Sequence, residues 1–171
     1  TQTLYYYDSN KMDVLTDLFK EIGFYPDRID WFRNSEALIM QKDSFIFEFE
    51  ISSKILSTIG YSNNPIYAVF DNYVLFFKEN EGKIFKYLNK SSSELQLPKN
   101  FIYPGKINNI FGNNQLQNKF VVDSEQGLVY FDLDKNFFDI IEKGSTFINF
   151  SPQGNSLIYS KNNELFSYFI E

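Results

Sequence analysis

The sequence predicts an all-β protein built from one short-stranded unit repeated along the chain. Three observations predict it. The final stretch, Phe147 to Glu171, FINFSPQGNSLIYSKNNELFSYFIE, reads as strand, Ser-Pro-x-Gly turn, strand, polar turn, strand. Its inner hairpin recurs with different letters, and an offset of 8 residues separates Leu157 from Leu165, Leu38 from Ile46 and Phe120 from Leu128 alike. The third-strand markers Leu4, Ile46, Ile84, Leu128 and Leu165 lie 42, 38, 44 and 37 residues apart. Four short strands per roughly 40–45 residues is the period of a β-propeller blade.

Each unit opens on a leading strand: Ile29 to Phe32, Ile66 to Val69, Ile107 to Phe111 and Phe147 to Phe150. A hairpin follows: Ala37 to Met40 with Ile46 to Phe49, Val74 to Phe77 with Ile84 to Tyr87, Lys119 to Val122 with Leu128 to Phe131, and Ser156 to Tyr159 with Leu165 to Phe169. Closing strands are expected at Asp13 to Phe19, Lys54 to Ile59, Glu94 to Leu97 and Phe137 to Ile141. The run Lys90-Ser91-Ser92-Ser93 reads as a loose loop. Segment Lys11 to Ile22 pulls two ways. Met12, Leu15, Leu18, Phe19 and Ile22 have helical spacing, with Asn10 to cap and Gly23 to stop a helix, whereas the repeat register requires a strand over Val14 to Phe19. The register is given precedence.

The reading is a single domain over residues 1–171: a half blade at 1–23, blades at about 24–61, 62–103 and 104–144, and an incomplete blade at 145–171. The units supply 17 strands, one more than four full blades. That count favours an incomplete arc of a larger propeller over a closed four-bladed ring. The chain starts inside a strand without an initiating Met, so a piece of a longer protein is expected.

Phe150-Ser151-Pro152-Gln153-Gly154-Asn155-Ser156-Leu157-Ile158-Tyr159-Ser160 resembles the F-S-P-D-G-K element of TolB-type (WD-like) propeller repeats. Leu4-Tyr5-Tyr6-Tyr7-Asp8 followed by Val14-Leu15-Thr16 is similar to the tail of such a repeat. The resemblance implies the propeller fold and, as a loose expectation, the bacterial cell envelope, periplasm or extracellular space. It leaves function open, because members bind proteins, glycans or nothing known.

Aromatic residues make up 19% of the 171 residues, with 20 Phe and 12 Tyr, which suits sheets packed face to face. Net charge is -6 and no basic run exceeds two residues, which argues against a nucleic-acid or anionic-lipid surface. No apolar run reaches the ~20 residues that cross a bilayer, so no membrane insertion is expected of this segment. The chain has no Cys and no His, which removes thiol catalysis, His-assisted serine nucleophiles and His- or Cys-built zinc sites. No glycine-rich phosphate loop occurs, and no cofactor is expected.

Three candidate sites remain. Glu48 and Glu50 could be an acid/base pair, although alternation with Phe47, Phe49 and Ile51 reads as the wetter face of a strand. Asp132-x-Asp134-x-Asn136 has the opening spacing of a calcium loop, but Phe137 and Lys143 stand where Gly and Glu belong, so turn chemistry is the simpler reading. Tyr5, Tyr7 and Trp31 could present rings to a peptide or glycan. Tyr5-Tyr6-Tyr7, Phe76-Phe77 and Tyr130-Phe131 must place rings on both faces of a strand, which stacking of sheets would bury.

These features together predict a non-catalytic interaction or scaffold module with a protein partner, or self-association through its open end blades. The alternative is a substrate-binding or gating propeller of a larger enzyme.

Overall fold

A computed structural model describes residues 5–7, 15–102, 106–112 and 118–170, without the side chains of 5–7 and 15–16. It is all-β apart from one helical turn. The chain runs as a two-stranded sheet of β1 (Tyr5–Tyr7) and β2 (Leu15–Asp17), followed by helix α1 (Leu18–Ile22). The first four-stranded sheet is β3 (Arg28–Phe32), β4 (Ala37–Lys42), β5 (Phe45–Glu50) and β6 (Ile55–Tyr61). The second is β7 (Ile66–Val69), β8 (Val74–Lys78), β9 (Lys83–Leu88) and β10 (Ser91–Glu94), and the third β11 (Ile107–Gly112), β12 (Lys119–Ser124), β13 (Gly127–Asp132) and β14 (Phe137–Glu142). The last sheet holds three strands, β15 (Thr146–Phe150), β16 (Ser156–Lys161) and β17 (Glu164–Phe169). Every sheet is an antiparallel meander in chain order, which is the blade topology expected.

Apolar residues on successive positions of a strand face opposite ways, and here both ways lead into a core. On β8, Val74 and Phe76 pack toward the first sheet, while Leu75 and Phe77 pack toward the third. On β13, Val129 and Phe131 face the second sheet, and Leu128 and Tyr130 the fourth. The rings of Phe76-Phe77 and Tyr130-Phe131 are therefore all buried. Three apolar seams join the four sheets in sequence, and among the described residues none joins the fourth sheet back to the first. The described chain is an open arc of a β-propeller.

Helix α1 covers the first sheet's outer side, with Leu18 and Ile22 on Leu38, Met40 and Phe49. This corrects the expectation of a strand through Phe19: the strand ends at Asp17 and a helical turn takes over. The spacing of Leu18 and Ile22 puts both on one helix face, and Gly23 (φ 82) stops the turn, its N–H donating to the Phe19 carbonyl at 2.7 Å. Asn10, the expected cap, lies outside the described residues, and the helix starts at Leu18.

The serine run is a second correction. Ser91 to Glu94 form β10, paired with Leu88 to Phe85. Asn89 and Lys90 (φ 52 and 61) make the left-handed two-residue turn that folds this strand back on β9. All four residues of β10 are exposed, so an outermost strand here needs no apolar letters. Only Glu94 of the expected Glu94-to-Leu97 strand belongs to it.

The Ser-Pro-x-Gly turn closes on itself. Ser151 N–H donates to the Ser156 carbonyl at 2.8 Å, Gly154 N–H to the Ser151 carbonyl at 2.8 Å, and Ser156 N–H to Ser151 Oγ at 3.1 Å. Gly154 has φ 72, which explains the glycine of the motif.

Leading strands lie innermost, and β7 and β11 approach closely enough that a Cβ on Gly112 would lie 2.4 Å from Phe70 Cζ. Gly112→Ala is therefore expected to cost about 1–3 kcal/mol of stability by overpacking. Replacing Phe70 by Leu in the same chain should make the combined loss less than additive in urea unfolding. Additive losses would show that the two positions do not meet.

Candidate functional site

Seams between aromatic sheets are dry, so every polar atom in them needs a partner. Four tyrosines solve this in the same direction. Tyr67 on the second sheet donates its hydroxyl to Asp30 Oδ2 on the first at 2.9 Å, and Tyr87 donates to Glu48 Oε2 at 2.5 Å. On the fourth sheet, Tyr159 donates to Glu142 Oε2 at 3.4 Å and Tyr168 to Asp139 Oδ2 at 2.8 Å, both on the third. Each phenol reaches back to a carboxylate of the preceding sheet. Between the second and third sheets the roles change, and the Asn118 N–H donates to the Tyr73 hydroxyl at 3.0 Å.

Glu48 is the most buried of these acids, at 3% exposure, with Arg33 Nη1 3.0 Å from its Oε1. This corrects its assignment to a wetter face. Glu48 is opposite Ile39 on the side of the first sheet that packs on the second, where Tyr87 and Arg33 take up its charge. Glu50 has separate partners, accepting from Ser53 Oγ at 2.6 Å and pairing with Lys90 Nζ at 3.4 Å. The Ser53 hydrogen bond, then Lys90, hold the Glu50 carboxyl below its usual range. Arg33 acts on both glutamates, but Glu48 is bonded to Tyr87 inside the seam and Glu50 to Ser53 and Lys90 at its edge, so their environments differ.

The calcium-like triplet is divided in the same way. Asp132 is buried, its Oδ1 accepting the Lys135 N–H at 3.1 Å and its Oδ2 lying 3.3 Å from Lys119 Nζ. Asp134 Oδ1 accepts from Asn118 Nδ2 at 2.9 Å, and Asn136 supplies a left-handed residue (φ 50) to the β13–β14 turn. Among the described residues, no three acidic side chains converge on a point where a metal could sit. Turn geometry accounts for the spacing.

Trp31 is 51% exposed and borders a cavity of about 170 Å³ with Phe32, Arg33, Asn34, Ser35, Phe70 and Asp71. The side chains of Tyr5 and Tyr7 lie outside the described residues, so their grouping with Trp31 is not part of the structure.

A larger cleft, about 330 Å³, opens between the third and fourth sheets, where no expected site residue except Asp132 was placed. It is lined by Tyr130, Asp132, Lys135, Phe137, Tyr168 and Phe169. Tyr130 and Asp132 are buried, while Phe137 and Phe169 are exposed at the rim. The Tyr130 hydroxyl is closed off from water and has no hydrogen-bond partner among the described residues. Burial, then the neighbouring Asp132, push its ionisation well above the usual tyrosine range. The Tyr130-Phe131 pair was legible as aromatic; that its hydroxyl stays unpaired depends on the neighbouring sheet and was not.

No family model matches the sequence, and no curated protein matches it either. Solved structures do match. The extracellular domain of BT4673 from B. thetaiotaomicron aligns with a TM-score of 0.60 at 11% identity, over 85% of this chain and 20% of that one. Dihydro-heme d1 dehydrogenase NirN in complex with DHE aligns with a TM-score of 0.59 at 10% identity, over 85% and 34%. A protein named as a 6-phosphogluconolactonase, BF1038 of Bacteroides fragilis, aligns at 0.51 and 12% identity, over 79% and 47%. These likenesses show the β-propeller fold. The chain spans between a fifth and a half of the length of these structures, which by name include a dehydrogenase, a 6-phosphogluconolactonase and the extracellular domain of a one component system.

Burial raises the ionisation of Tyr67, Tyr87 and Tyr130, and pushes Tyr73 up to about 12. The unfolded chain loses these protons near the ordinary value of 10.0, before the folded chain does. The stabilisation is thus complete below that pH and is lost as pH rises through the folded values. The urea midpoint should fall steeply from pH 10 toward 12, together with the rise of tyrosinate absorbance. Gradual tyrosinate formation with no loss of structure would contradict buried phenols. For the Glu48 pair, Tyr87→Phe is expected to cost about 1.5–3 kcal/mol, as for a hydrogen bond to a charged group. Glu50→Gln, at the surface, should stay within about 0.5 kcal/mol in the same denaturation assay.

Proposed function

We propose that this chain is a non-catalytic protein-interaction or scaffold module, a propeller segment of the TolB-like kind its final repeat resembles. The observation that carries this reading is the outer face of the fourth sheet. Leu165 is 71% and Phe169 74% exposed, and the strand register sets both on the same side as the exposed Ile158. Three exposed large apolar residues on one sheet face, beside an edge strand, mark a contact surface. The partner that fits is another β-sheet, from a second copy of this chain or from a different protein.

A second reading, the substrate-binding or gating propeller of a larger enzyme, is favoured by the cleft at Tyr130. The two readings share Phe169, but Leu165 lies only on the outer face and Tyr130 only in the cleft, so mutation at those two positions separates them.

Light scattering after size exclusion, at several concentrations, is expected to show mass rising with concentration. The substitution Leu165→Asp, at an outer-face residue that does not line the cleft, should return the chain to monomer without loss of its strand circular dichroism signal. A monomer at every concentration would overturn self-association. A second assay then decides the broader reading: if both forms cross-link to partners equally, the face is not the interaction surface.

A further inference from the structure

The Tyr130 cleft has an apolar rim and a polar floor. Phe137 from β14 and Phe169 from β17 stand exposed at its mouth, and the Tyr168 ring lies 5.9 Å from that of Tyr130. On the floor, Asp132 is an acceptor and Tyr130 a donor with no acceptor of its own. A buried hydroxyl without a partner costs about 1–3 kcal/mol, so a ligand oxygen reaching it would recover that loss. At about 330 Å³ the cleft is within the range for small-molecule sites.

The charges narrow the ligand. A cation would meet Lys135 on the lining and Lys119, which lies 3.3 Å from Asp132. An anion would meet Asp132 itself and Asp139, the acceptor of the Tyr168 hydroxyl. A neutral ligand avoids both conflicts. It must offer an acceptor to Tyr130, hydroxyl donors to the carboxylate, and a flat apolar face to Phe137 and Phe169. A sugar ring has all three: hydroxyls that donate and accept around its rim, and a face of C–H groups that stacks on aromatic rings.

We propose that the cleft between the third and fourth sheets binds one neutral glycosyl unit, with Tyr130 donating to a ring or hydroxyl oxygen and Phe137 and Phe169 stacking on its C–H face. This rests on the cleft-binding reading above and shares only Phe169 with the outer face of the fourth sheet.

The test is saturation-transfer NMR on the full chain with the methyl glycosides of glucose, galactose, mannose and N-acetylglucosamine. At least one should bind, with transfer strongest at ring C–H protons. Tyr130→Phe should weaken it about tenfold, the equivalent of one hydrogen bond of ~1.4 kcal/mol, while leaving the melting temperature equal or higher because an unpaired hydroxyl has gone. Phe137→Ala should reduce the C–H transfer, and Trp31→Ala should change nothing. Binding of none of the four, or binding unmoved by Tyr130→Phe, would overturn the proposal. So would a preference for a lysine or glutamate peptide over every glycoside. Failure here with concentration-dependent association intact would leave the scaffold reading standing.

Discussion

Every sheet in this molecule depends on a neighbour for both of its faces. A strand such as β13 carries Leu128 and Tyr130 on one side and Val129 and Phe131 on the other, and none of these side chains tolerates water in bulk. A single four-stranded sheet of this composition has no wet face to present. Stacking is therefore the condition for folding, and it sets the aromatic content, the short strands and the need for something at each end. At the amino-terminal end α1 meets the need, placing Leu18 and Ile22 on Leu38, Met40 and Phe49.

Dry seams make polar groups expensive, and the tyrosines answer that cost while setting the order of the sheets. A phenol buries a ring in the seam and still reaches a carboxylate at its edge. Tyr67, Tyr87, Tyr159 and Tyr168 all reach back to the preceding sheet, so each contact ties a sheet to the one before it. Truncating one partner strands the other inside the seam, which is why these bonds hold the stack together more firmly than their number suggests. The seam between the second and third sheets substitutes a backbone donor, Asn118, for the carboxylate. Tyr130 alone among the buried tyrosines described here is left without any partner, and it sits where the seam opens into a cleft.

Much of the architecture was legible because a repeat states the same thing several times. The markers Ile46, Ile84, Leu128 and Leu165 each fall second in a third strand, and the units of two, four, four, four and three strands appear as read. Where a segment departed from its repeat, the register misled. Phe19 was drawn into a strand although Leu18 and Ile22 already had helical spacing, because only the packing of those two on the first sheet decides between the periods. Ser91 to Ser93 lacked apolar letters and read as a loop, yet an outermost strand needs only its backbone to pair. The site was less legible still. Glu48 looked like a solvated strand residue, since nothing near it in sequence announces Tyr87, 39 residues on, or the turn that brings Arg33 beside it. Asp132 drew notice for a metal-loop spacing, and its Oδ1 accepts the Lys135 N–H within its own turn.

The cleft itself follows from the arc. In the third sheet the outermost strand is β14, with Phe137 and Ile140 exposed, whereas the fourth sheet stops one strand earlier at β17. β14 meets the fourth sheet at Asp139 and Glu142, through Tyr168 and Tyr159, and the cleft lies toward Phe137, with Tyr130 and Asp132 in its lining. Any strand that paired with the free edge of β17 would extend the fourth sheet across β14 and over the mouth of the cleft. A partner at that edge and a ligand in the cleft would then share Phe169, so each would alter the affinity of the other by a common coupling.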